Sequence, residues 1–70
     1  MDDLFWMKFF ENWCEANDLR LVDVRDTFHS RNSETYLLAH RQFVGGASDR
    51  VVSQLLRRAA IESGLIDTTE

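Results

Sequence analysis

Residues 2–17 read DDLFWMKFFENWCEAN, and Phe5, Trp6, Phe9, Phe10 and Trp13 all fall between positions 5 and 13. On a helical wheel of about 100° per residue, Trp6, Phe9, Phe10 and Trp13 share one side. Met7 and Cys14 widen that side on one flank and Phe5 on the other, while Lys8, Glu11, Asn12 and Glu15 form a polar stripe opposite. The apolar arc spans about 200°, twice the ~100° that a surface helix presents to a core. The pattern predicts an N-terminal helix. The carboxylate of Asp2 or Asp3 opens it, accepting from first-turn N–H groups and favouring the positive end of the dipole. Asn17-Asp18, which tolerates turn geometry, closes it. The rest of the chain offers Phe28, Tyr36, Phe43 and a few Leu and Val. These are expected to leave part of the arc bare. Trp6, Phe9, Phe10 and Trp13 are therefore expected to serve a dimer or a protein partner as well as the core, being of the residue types enriched at interfaces.

The segments that must close the core follow from here. Gly45-Gly46 interrupts the chain, Ser48 is placed to cap a helix with Asp49 in its first turn, and Gly64 stands where a helix stops. Between them Val52, Leu55, Leu56 and Ala59 form an inward stripe flanked by Val51 and Ala60. Residues 35–44, TYLLAHRQFV, are also expected to be helical. Ser33 is their N-cap, and Tyr36, Leu37, Ala39, His40, Phe43 and Val44 lie on one arc, with Leu38, Arg41 and Gln42 outside it. Residues 19–28, LRLVDVRDTF, fit neither period cleanly. The strand alternation slips between Leu21 and Val22, and Val22, Val24, Asp26 and Thr27 are mediocre helix formers, although Leu21, Val24 and Phe28 would share a helical face. An extended segment or short strand is expected there. Residues 67–70 are expected to fray. The predicted fold is mainly α: about three helices in a single domain over 1–70, the first packed on the last and the 33–44 element closing the core. A helix-hairpin-helix of the α+β class is the alternative.

A 70-residue chain is short of core. Domains of this size bury only about 60% of the surface their unfolded chain exposes, and they commonly rely on disulfides, a metal or association. The single cysteine, Cys14, rules out an internal disulfide, and no metal set or cofactor is indicated. Association is the remaining support, so a homodimer is expected. A lone thiol and no recognisable leader suit a reducing, cytoplasmic setting, and no apolar run long enough to span a membrane exists. The net charge of -4 falls entirely on residues 1–35, residues 36–70 being balanced. An acidic chain is not the usual electrostatic footprint of a nucleic-acid binder.

The 48–63 helix has a second face. Arg50, Ser53, Gln54, Arg57 and Ile61 follow an i, i+3, i+4, i+7, i+11 ladder with Arg58 alongside. Arginines and amides so placed contact carboxylates, phosphates or base edges, and Ile61 among them suggests a contact surface. Arg50, Gln54, Arg57, Arg58 and Ile61 are therefore the second candidate partner-binding set. The run GGASDRVVSQLLRR over 45–58 resembles the turn and recognition helix of helix-turn-helix repressors of the lactose-repressor type, with Gly46, Val52 and Leu55 matching the pattern. Upstream, Arg41, Gln42 and Gly45 stand where that motif carries apolar or small residues. The resemblance implies a DNA-binding regulator with Arg50, Ser53, Gln54 and Arg57 toward the groove, and it is the alternative functional reading.

Catalysis is not expected. His29, His40 and Cys14 are far apart in sequence, and no CxxC, HExxH, phosphate loop or GxSxG motif occurs. A thiol on an aromatic helix behaves as a small buried hydrophobe. The expected function is that of a small inhibitor or regulator that occludes a host or regulatory protein. In size, acidity and economy the chain is similar to phage-encoded inhibitors of host proteins, such as anti-CRISPR proteins and quorum-sensing anti-activators.

Overall fold

The computed structural model describes residues 3–67. Four helices run in order: α1 (Asp3–Ala16), α2 (Leu21–Ser30), α3 (Glu34–Val44) and α4 (Asp49–Glu62). The mainly α expectation holds, with four helices in place of three and no strand among the described residues. The correction falls on 19–28. Val24 and Phe28 are fully buried there and Leu21 is half-buried. Burial at i, i+3 and i+7 thus overrides mediocre propensity. This α2 starts without a side-chain cap, at Arg20. The hairpin alternative is overturned with it. Asp2 as a cap and the fraying of 68–70 lie outside the described residues.

All four helices end in the same way. The residue at C′ is left-handed in each: Asp18 (φ 59°), Asn32 (φ 52°), Gly46 (φ 91°) and Gly64 (φ 80°). In each case the next N–H reaches back to the C3 carbonyl: Leu19 to Cys14, Ser33 to Phe28, Ala47 to Gln42 and Leu65 to Ala60. These are Schellman closures, which satisfy carbonyls that the helix end leaves orphaned. The next helix then starts at once. The Ser33 hydroxyl accepts from Tyr36 N–H and the Ser48 hydroxyl from Val51 N–H, as the sequence indicated. Connections of four residues or fewer force neighbouring helices to turn back on each other, and the chain becomes two helical hairpins, α1–α2 and α3–α4.

The hairpins pack with α1 on α3 and α2 on α4, and the expected packing of first helix on last is present but slighter than either. Their shared core is an aromatic chain. Trp6 lies parallel to Phe10 (5.6 Å between ring centres), edge-on to His40 (5.0 Å) and beside Phe43 (5.3 Å) and Tyr36 (5.9 Å). Phe10 continues to Tyr36 (5.5 Å), and Phe28 packs on Tyr36 at 4.9 Å. Val52, Leu56, Ala59 and Ala60 of α4 and Ala39 of α3 are fully buried. The alanines lack bulk, which lets these two helix backbones approach closely.

Candidate protein-binding surface

The α1 aromatics expected to face a partner lie mostly inside the monomer. Trp6 is 6% exposed, Trp13 7% and Phe10 0%; Phe9 is half-buried against Phe43 at 5.2 Å. The remainder of the chain covers the centre of that arc, where Tyr36, His40, Phe43 and Phe28 turn toward it, and leaves part of its flanks bare as expected. What α1 leaves in solvent is its flank, with Phe5 65% exposed and Met7 at the margin.

The α4 set lies outside. Arg50, Gln54, Arg57 and Arg58 are exposed and Ile61 is half-buried. Val52, Leu56, Ala59 and Ala60 hold the opposite side of the same helix in the core, which fixes the outward direction of the arginines. Gln54, Arg57, Arg58, Ile61 and Glu62 line a shallow groove of about 410 Å³. The three arginines are not equivalent. Arg58 Nε lies 3.8 Å from Glu62 Oε2, and the other oxygen of that carboxylate, Oε1, accepts from Thr35 Oγ1 at 2.8 Å. Among the described residues Arg50 and Arg57 enter no ion pair.

The Thr35–Glu62 bond joins the first turn of α3 to the last turn of α4. The two helices therefore stay together from the turn to their far ends, as an antiparallel αα-hairpin. A DNA-reading helix-turn-helix instead crosses at about 90–120°, which spreads its far ends. The 45–58 stretch shares its turn residue, Gly46, with that motif.

A second depression, of about 510 Å³, lies on α3 and is lined by Glu34, Thr35, Leu37, Leu38 and Arg41. Thr35 borders this depression and Glu62 borders the first, so the hydrogen bond between them links the edges of the two. Leu37 (56% exposed), Leu38 and Ile61 give them apolar ground; Arg41, Arg57 and Arg58 give them a cationic rim. The sequence reading placed Leu37 and Val44 inward, yet both are exposed. The inward arc of α3 is rotated toward Thr35 and Ala39.

The other chemistry-bearing groups are dispersed. Cys14 is buried, and desolvation, with the Glu11 carboxylate adding to it, pushes its thiol from 9.0 up to about 11. It therefore stays protonated and unreactive near neutral pH. His40 packs on Trp6, and His29 meets Tyr36 at 6.0 Å. Among the described residues no cluster of three metal-ligating side chains occurs, and no helix is long and apolar enough to cross a membrane. No protein-family model matches this chain, and neither a curated protein nor a solved structure matches it.

Proposed function

We propose that this chain is a small, non-catalytic inhibitor or regulator that binds another protein and occludes it, working in the cytoplasm. The observation that carries the reading is the pair of depressions on α3 and α4, whose edges meet at Thr35 and Glu62. Apolar Leu37 and Leu38 line one with Arg41, and Ile61 lines the other with Arg57 and Arg58. An apolar centre with a polar rim and arginine enrichment is the anatomy of a protein interface. The buried, protonated Cys14 supports a role without nucleophilic chemistry. The likeness in size and acidity to small phage-encoded inhibitors agrees with this reading. Self-association belongs to the same proposal, and Phe5, Leu37 and Leu38 are among the apolar groups left in solvent for it. The DNA-binding alternative draws on the Gly46 turn; the antiparallel hairpin and the charge of -4 weigh against it.

The test is affinity capture from lysate with the wild type and with an Arg50→Glu/Arg57→Glu variant, followed by an activity assay of the captured protein. The expected outcome is one protein captured and inhibited by the wild type and released by the variant. Retention on DNA in place of a protein would favour the regulator.

A further inference from the structure

Arg50, Arg57 and Ile61 lie along one outward stripe of α4, with Arg50 and Arg57 seven residues apart and Ile61 four further on. At 1.5 Å per residue these intervals are about 10.5 Å and 6 Å along the helix axis. Arg58 is held by Glu62, whereas Arg50 and Arg57 have no ion-pair partner among the described residues. The unanswered charge is therefore two guanidiniums, two helical turns apart, with an apolar side chain at one end. We propose that this stripe receives an acidic amphipathic helix of the partner protein, with two carboxylates seven residues apart facing Arg50 and Arg57 and an apolar side chain four residues beyond over Ile61. The inference rests on the protein-binding reading above and specifies the partner's chemistry.

Charge complementarity names the carboxylates, since a guanidinium pairs with them through two parallel hydrogen bonds. The interval names the helix. A strand advances about 3.3 Å per residue and shows the same face every second residue, so its same-face carboxylates recur near 6.6 or 13 Å and miss 10.5 Å. A helix presenting residues i and i+7 matches it. The half-buried Ile61, at the groove edge, supplies the apolar contact that a purely ionic match would lack.

The probes are alanine-based helical peptides carrying Glu, Glu and Leu at positions i, i+7 and i+11, synthesised in both chain directions and followed by fluorescence anisotropy. A Gln-for-Glu peptide and a short DNA duplex are measured beside them. One acidic peptide is expected to bind, with the Gln peptide weaker by about tenfold or more. Arg50→Glu and Arg57→Glu should each lose about tenfold, Arg57→Gln should lose less than Arg57→Glu, and Lys8→Glu, an equal charge reversal on the exposed polar stripe of α1, should stay within about threefold. Equal binding of the Gln peptide, a Lys8→Glu loss as large as that of Arg57→Glu, or tighter binding of the duplex would each overturn the inference. If the captured protein is still released by Arg50→Glu/Arg57→Glu while acidic and Gln peptides bind alike, the acidic helix is rejected and protein binding stands. If the wild type captures and inhibits no protein, the protein-binding reading fails.

Discussion

Trp6→Ala separates a core role for the aromatic helix from an interface role. Trp6 is 6% exposed and meets Phe10, His40, Phe43, Tyr36 and Phe9 at centroid distances between 5.0 and 6.1 Å. A buried tryptophan removes about 150–250 Å² from water, which at about 25 cal/mol per Å² is worth about 4–6 kcal/mol. Alanine keeps part of that and leaves a cavity, so the expected loss is about 3–5 kcal/mol. Seventy residues at roughly 0.05–0.15 kcal/mol each give a total stability of only about 3.5–10 kcal/mol. The variant is therefore expected to be marginal or unfolded. Urea unfolding followed by far-UV circular dichroism, at two protein concentrations, measures it. At the lower concentration Phe5→Ala on the exposed flank should change stability by less than about 0.5 kcal/mol. A Trp6→Ala loss below about 1 kcal/mol, or a loss that disappears at the lower concentration, would refute the reasoning and place Trp6 between subunits.

Other outcomes follow from single features. Gly46→Ala forces a left-handed residue with a Cβ at the α3–α4 turn (φ 91°) and should cost about 1–2 kcal/mol in thermal or urea melts. Ser33→Ala and Ser48→Ala remove N-cap acceptors and should cost about 0.5–2 kcal/mol each. Cys14 gives a pH signature. Its folded-state value, about 11, lies above its ordinary 9.0, so the fold favours the neutral thiol; that stability is full below pH 9 and is lost as pH rises to 11. The loss should approach about 2–3 kcal/mol, and Cys14→Ala, measured over the same window, should lack it.

Much of the fold can be read from the residues. The α1 wheel, the Ser33 and Ser48 caps and the stops at Gly46 and Gly64 all act within one or two turns, so local chemistry decides them. The α2 helix could not be read this way. It has no side-chain cap, its propensity is weak, and its stop at Asn32 is a left-handed residue that is not glycine; only the tertiary burial of Val24 and Phe28 makes it a helix. The aromatic arc misled for a related reason. Its coverage depends on Tyr36, His40 and Phe43 converging from α3, and wheel arithmetic on α1 contains nothing about that. On the binding surface, the arginine ladder was legible from spacing alone. The pairing of Arg58 with Glu62 and the Leu37–Leu38 ground on α3 depend on which helices become neighbours.

The central claim is that a protein partner is held by the outer face of α3–α4 while the α1 aromatics stay inside. An equilibrium titration of the captured partner tests it most directly, with the wild type and Arg57→Ala measured across a salt series and circular dichroism confirming that each is folded. The expected result is a shallow salt dependence, with binding weakened by about 1–3 kcal/mol in Arg57→Ala and the helical signal unchanged. Undiminished partner binding by Arg57→Ala would contradict it. So would submicromolar, sequence-selective duplex binding whose log–log salt slope approaches about -0.9 per phosphate neutralised.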